Sequence, residues 1–494
     1  MTKGTTMTNF DAPVRPPRLH IGGWLDPDAG ESVEAVDPAD TRRVVTHVPQ
    51  ATREQALRAA EIAAEGAVAW KSVTPFARGE IIRRASELIA ERAEELAVAI
   101  TLDMGKPMIE SRAEVARAVE QARYFAGAAR EPQGFTANLA ESDAMGFTLR
   151  APVGVVAAIG PWNFPVMIPN WKIAPALAHG NAVVFKPAEI ASLTATRLVE
   201  CYLDAGVPPE VLSLVIGSGA EVGDALVRSP HVDAVTFTGS TAVGLKIAGA
   251  AAGLGKRFQV EMGGKNALIV MDDADLDAAV AATLVGGFGT TGQRCTASSR
   301  ILVHDSVAEE FERRIAQAAR GLKVGHGLAD DVTAGPLASK AAFDDATTGL
   351  GRAIDGGAKV VMGGERLTDG DLQHGWFMAP TLMTAPASGY VFEEEIFGPF
   401  VSLHRFASLD EAIALNNSVK YGLSAAIYTS SLTSAHRFVH ESDTGMVHVN
   451  RPTVGAEPHI PFGGSKASAL GPSELGAAAQ FYTTTRSAHV RWLA

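Results

Sequence analysis

The sequence predicts an α/β protein built from two successive domains. Three observations predict it. From residue 152 onward, short β-branched runs alternate with helix-like stretches. The strand runs are apolar throughout, as in parallel sheets covered on both faces. A second alternating series begins at about residue 259, and the 494-residue length has room for both.

Ahead of these series lies a segment rich in Ala, Glu and Arg. Apolar residues at helical spacing predict long helices over 53–70, 77–100 and 109–129. In the first series, strands are predicted over 153–159, 182–185, 212–216 and 234–238. Helices over 165–178, 192–205, 220–227 and 241–252 separate them. In the second series, strands fall at 267–270, 301–303 and 401–406, and helices at 276–285, 306–319, 338–355 and 409–416. The stretch 133–150 and the C-terminal runs 481–486 and 489–492 alternate like strands, either as a small flap of sheet or pairing with another subunit. Residues 1–17 read as a loose tail without the apolar run of a signal peptide.

Charge excludes some functions. With 43 basic and 55 acidic side chains the net charge is −12, which disfavours nonspecific binding to nucleic acid or a membrane surface. Two cysteines, Cys201 and Cys295, make no disulfide framework, so a reducing cytoplasm fits. No run of about 18 apolar residues suggests a membrane span. No Cys/His spacing supports a metal site.

The chemistry-bearing residues sit at strand ends. Cys295 follows Gly286, Gly287, Gly289 and Gly292 on a loop between a helix-like run and a strand, with Arg294 beside it. A cation favours thiolate, so Cys295 is a candidate nucleophile; the alternative is an inert buried thiol. Cys201, in an apolar helical run, reads as core. Glu261 ends an apolar strand before Gly263 and Gly264 and is either a general base or a solvated loop acid. Asn163, in Pro161-Trp162-Asn163-Phe164-Pro165, is either an oxyanion donor or a turn residue. Gly239-Ser240-Thr241 follows a strand and opens a helix, a place that suits an anion. Lys186 and Glu189 end another strand and offer a cation and an acid together.

Taken in order, the segments Pro161–Pro165, Lys186–Glu189, Phe237–Ser240, Glu261–Asn266, Gly292–Cys295, Glu394-Glu395-Ile396-Phe397-Gly398-Pro399 and Pro461-Phe462-Gly463-Gly464 resemble the NAD(P)-dependent aldehyde dehydrogenases. The resemblance runs from about Ile21 to Phe481. It implies a Rossmann-type cofactor domain over 1–130 and 151–258, a catalytic α/β domain over 259–478, and a small β oligomerisation flap from 131–150 and 479–494. It implies Cys295 as nucleophile, Glu261 as general base and Asn163 as oxyanion donor. Cofactor contacts would come from Ile159, Trp162, Lys186, Glu189, Gly219, Phe237, Gly239, Ser240, Glu395 and Phe397. Glu189 would repel a 2′-phosphate, so NAD is expected over NADP. A homodimer or homotetramer is implied.

For the substrate, Gly292–Arg300 and the segments around Thr453, Phe462 and Phe481 look like the α-ketoglutarate semialdehyde dehydrogenases. An anionic semialdehyde wants a cation, for which Arg451 is a candidate. Phe164, Trp171 and Phe462 would instead suit an aliphatic or aromatic aldehyde. Acyl transfer to coenzyme A and a non-catalytic protein on the same fold are the remaining alternatives.

Overall fold

The computed structural model describes residues 14–492 apart from 28–29, 129 and 132–133. Most of the tail expected over 1–17, and the predicted helix end at 129, fall outside the described residues.

The first long helix forms where the spacing places it, Arg53–Trp70. Thr52 and Gln55 cap it reciprocally, an arrangement worth about 1 kcal/mol. The helix predicted over 77–100 is two helices, Pro75–Glu91 and Ala93–Met104, broken at Arg92 where φ −101° and ψ 19° leave the helical region. Met108–Ala128 follows the left-handed Gly105. A hairpin of Ser32–Asp37 and Asp40–Pro49 precedes these helices and was not predicted.

The first series forms a six-stranded sheet. Its order is Ala469–Leu470, Arg257–Glu261, Ala234–Thr238, Val155–Ile159, Ala182–Lys186, Leu212–Leu214. All neighbours are parallel except the Ala469–Leu470 edge. The chain leaves the central strand Val155–Ile159 toward one edge and returns on its other side at Ala234–Thr238. That reversal opens a crevice at the carboxyl ends of these two strands, the usual ligand position in a doubly wound sheet. The second sheet has seven strands, in the order Lys359–Met362, Thr381–Thr384, Phe400–Phe406, Arg300–His304, Ala267–Val270, Ser424–Tyr428, Met446–Val449.

The boundary expected after residue 258 falls inside the strand Arg257–Glu261, which belongs whole to the first sheet. Apolar Phe462, Leu475, Ala478, Phe481 and Tyr482 also pack into the first core, so the chain returns to its first domain before it ends. Antiparallel Thr483–Arg491 pairs with Ala144–Pro152 from Thr483↔Pro152 to Arg491↔Ala144, and Thr136–Asn138 adds a third strand. Among the described residues no helix is long and apolar enough to cross a membrane.

Candidate active site

The site lies where the two sheets meet end to end. Glu261 closes a strand of the first sheet, and Asn266 opens the strand Ala267–Val270 of the second. Cys295 precedes Arg300–His304, the neighbour of that strand. Carboxyl ends of one sheet therefore face amino ends of the other across a short loop.

Cys295 is half-buried. Its carbonyl accepts the Asn266 side-chain amide at 2.7 Å, and the same amide reaches the Ala297 carbonyl at 2.9 Å. A β-carbon on Gly264 would stand 2.4 Å from the Cys295 oxygen, so glycine is required for this approach. One on Gly292 would stand 1.9 Å from the Gly398 carbonyl, so the loop carrying Glu395 and Phe397 closes directly on the cysteine turn. The Gly264 N–H donates to Glu395 Oε1 at 3.0 Å.

Asn163 is buried, and its Nδ2 donates to the Gln293 carbonyl at 3.0 Å. That bond fixes which end of the amide is the donor and leaves a second N–H. The loop behind it is anchored by Lys106, whose Nζ donates to the Asn163 carbonyl at 2.7 Å and pairs with buried Glu114. Glu114 in turn accepts the N–H groups of Val166 and Met167 at 2.9 and 3.1 Å.

Glu261 is buried and its Oε2 has no hydrogen-bond partner. Behind it, Lys172 pairs with Glu474 and donates to Thr236 Oγ1 at 2.9 Å. Because Lys172 already has a carboxylate partner, it offsets little of the cost of charging Glu261. Burial, then the Glu474 charge, hold the Glu261 carboxyl well above the usual carboxylate range, against a smaller opposing pull from Lys172.

Burial pushes the Cys295 thiol up to about 12, and the Glu395 and Glu261 charges push the same way. Arg294, expected to favour the thiolate, is paired elsewhere. Its guanidinium is held by Glu110 at 3.0 Å and by Thr290 Oγ1 at 3.0 Å. Cys201 is core as expected, with its thiol pushed up to about 12 by burial.

A cavity of about 820 Å³ opens at the carboxyl ends of the first sheet, within the size range of ligand sites. Seven of the ten expected cofactor residues line it. Ile159 and Trp162 follow the central strand; Lys186 and Gly219 come from one side, and Phe237, Gly239 and Ser240 from the other. Ser240 begins the helix Thr241–Gly253 without a side-chain cap, which leaves first-turn N–H groups without a side-chain acceptor beside the cavity. Burial lowers Lys186 to about 8, and the nearby Glu189 charge opposes it. Phe397 packs edge-on against Trp162, centroids 5.5 Å apart. Burial raises Glu395 to about 7.

The pocket residues separate. Trp171 and Phe462 stack tilted at 5.1 Å. Phe164 lies beneath Lys106 Nζ at 4.0 Å and Arg294 at 5.6 Å. Arg451 is exposed on the loop after Met446–Val449; burial first, and the Arg451 charge second, lower the half-buried His448. The cations that the structure sets against Phe164 are thus Lys106 and Arg294, not Arg451. Sequence reasoning missed Glu110, Glu114, Lys106, Lys172, Glu474 and Asn266. Of these only Asn266 stood in a segment singled out beforehand.

These features define an oxidoreductase-type fold, with a nucleotide-sized cavity at the carboxyl ends of the first sheet and a half-buried cysteine on the loop where the two sheets meet. The chain belongs to the aldehyde dehydrogenase family, whose model matches residues 24–488. It is 40% identical over 472 residues to the alpha-ketoglutaric semialdehyde dehydrogenase of Bacillus subtilis, covering 95% of this chain and 97% of that one. The fold is similar to that of betaine aldehyde dehydrogenase from Staphylococcus aureus in complex with NAD+, with a TM-score of 0.93 and 34% identity, covering 96% of this chain and 94% of that one. It is also similar to PnpE from Pseudomonas sp. WBC-3, with a TM-score of 0.94 and 35% identity, covering 97% and 98%.

Proposed function

We propose that this enzyme oxidises an aldehyde to the free carboxylic acid with NAD as acceptor, through an acyl group held on Cys295. The observation that carries the reading is that Asn163 bonds the backbone two residues before half-buried Cys295, while Glu261, with Oε2 unpartnered, lies near enough for its charge to act on the thiol, and that Trp162 and Thr238, neighbours of Asn163 and Glu261, line the 820 Å³ cavity.

In this reading the Cys295 sulfur bonds to the aldehyde carbon. Charge on the former carbonyl oxygen is met by the free N–H of Asn163 and the Cys295 backbone N–H, a class of contact worth about 3 kcal/mol per donor. The dinucleotide, when bound, supplies the acceptor for the hydride leaving that carbon. Cys295 then carries a thioester. Glu261 takes a proton from water, water adds to the acyl carbon, and the C–S bond breaks to release the acid. A base held in this position favours hydrolysis over transfer to coenzyme A.

The uncapped start of Thr241–Gly253 and the residues lining the cavity fit a dinucleotide pyrophosphate. Lys186 and Glu189 would hold the adenosine ribose, and Glu395 and Phe397 the nicotinamide half. Glu189 disfavours a 2′-phosphate. The substrate we propose is a semialdehyde bearing a carboxylate, such as α-ketoglutarate semialdehyde, supported by the 40% identical relative. The stacked Trp171–Phe462 pair favours a second reading, an apolar aldehyde. The test is NADH absorbance with a charged semialdehyde, a short aliphatic aldehyde and an aromatic one. The charged semialdehyde is expected to give a kcat/KM at least about tenfold above the others, and NAD at least about tenfold above NADP, differences of about 1.4 kcal/mol each. An aromatic aldehyde in first place would establish the second reading. No NADH with any aldehyde would leave a non-catalytic protein.

A homodimer or homotetramer assembled through the flap is part of this proposal. Thr483–Arg491 and Met446–Val449 are both edge strands with unpaired backbone groups, and Val490 and Trp492 are exposed on the flap. Val490→Asp with Trp492→Asp is expected to lower the molar mass by light scattering to that of a smaller assembly. An unchanged mass would remove the flap from the interface. A reaction that needs the free thiol of Cys295 fits a cytoplasmic location.

A further inference from the structure

The turn before the nucleophile is strained. Thr290, Thr291 and Gly292 have φ of 52°, 56° and 70°, three consecutive residues in the left-handed region. β-branched residues rarely adopt it, since the side chain crowds the backbone there. Such a turn persists only where its surroundings over-determine it.

Besides the Gly398 loop and the bond from Thr291 Oγ1 to the Gly335 carbonyl at 3.1 Å, a restraint comes from a distant helix. Glu110, in the first turn of Met108–Ala128, accepts the Thr290 N–H with both carboxylate oxygens, at 3.0 and 2.9 Å. Arg294 closes the ring from the far side of the turn. Its Nη2 donates to Glu110 at 3.0 Å and its Nε to Thr290 Oγ1 at 3.0 Å. The pair is partly shielded, with 14% of the Arg294 and 22% of the Glu110 side chain exposed. Room for it depends on Gly289, where a β-carbon would stand 2.9 Å from Arg294 Nη2 and 3.2 Å from Glu110 Oε1.

We propose that the Glu110–Arg294 pair is a latch that keeps the turn left-handed and so fixes where the Cys295 sulfur sits. Both are positioning residues that act through the turn. The inference rests on Cys295 being the nucleophile, but thiol alkylation reads its placement independently of any aldehyde. Without the latch the turn relaxes toward the right-handed region that threonine prefers, and the sulfur leaves its register with Asn163. A glycine at 290 removes that preference, because glycine adopts positive φ freely.

The test compares Glu110→Ala, Arg294→Gln, Glu110→Gln and the double variant Glu110→Ala/Thr290→Gly as full-length enzymes. Each is measured for kcat, for KM of the dinucleotide and for the rate of Cys295 alkylation by iodoacetamide. Glu110→Ala and Arg294→Gln are expected to lower kcat at least tenfold and to change the alkylation rate at least threefold, with the dinucleotide KM within twofold. Glu110→Gln, which keeps an acceptor for the Thr290 N–H, is expected to retain more activity than Glu110→Ala. Thr290→Gly is expected to restore kcat at least threefold in the Glu110→Ala enzyme. Should Glu110→Ala not fold, Arg294→Gln and its own double variant with Thr290→Gly carry the same comparison. Single variants within twofold of the parent, or a loss that Thr290→Gly does not relieve, would overturn the latch. An enzyme without aldehyde activity whose alkylation still follows this pattern separates failure of the functional reading from failure of the latch.

Discussion

Cys295→Ala is expected to abolish NADH formation, lowering kcat at least ~10⁴-fold with every aldehyde, because the sulfur that carries the acyl group is removed. Cys201, the other cysteine, is sealed in the core with its thiol pushed up to about 12. Dinucleotide affinity should stay within about twofold, since the cavity is lined by other residues. Fluorescence titration of the variant checks this. The Cys295 thiol adds a second expectation. With the thiol pushed up by burial and by the Glu395 and Glu261 charges, the free enzyme should hold less thiolate at neutral pH than an ordinary thiol would. Iodoacetamide should therefore react slowly with the free enzyme, and faster as pH rises. A cationic nicotinamide ring bound beside the sulfur would favour the thiolate and raise the rate. Unimpaired aldehyde turnover by Cys295→Ala would end the proposed reaction.

How far the sequence reaches depends on the range of the forces involved. Arg53–Trp70 was legible because its apolar spacing is local. The break at Arg92 was not, because no glycine or proline marks it. The short second-domain strands Lys359–Met362, Thr381–Thr384, Ser424–Tyr428 and Met446–Val449 also escaped. Runs of four or five residues carry too little periodicity to separate from helix or loop. Cys295, Glu261 and Asn163 stood out because each sits at an element's end among glycines or prolines. Their supports left no such trace. Lys172 and Glu474 lie 302 positions apart, and Glu110 and Arg294 lie 184 apart. Taken one at a time, each reads as an ordinary charged residue. Only the fold shows that Arg294, taken from its position as a thiol activator, is held by Glu110 instead.

Glu261→Gln is expected to separate the two halves of the reaction. The acyl group should still form, giving a burst of about one NADH per site. Steady-state turnover should then fall ~10²- to 10⁴-fold, the usual contribution of a general base. Rapid-quench mass measurement should find the acyl adduct on Cys295. The pH dependence follows from the environment of the carboxyl. Burial and the Glu474 charge favour its neutral form, and a neutral acid cannot accept a proton from water. Hydrolysis should therefore rise with pH through a midpoint above the ordinary carboxylate range near 4.3. That limb should be absent in Glu261→Gln. Removing the Glu474 charge tests its origin. Glu474→Gln leaves Lys172 free to act on Glu261, so the midpoint should move down. If the burst is lost together with turnover in Glu261→Gln, the carboxyl serves thiol attack rather than deacylation. The water-activating role would then have to pass to another group.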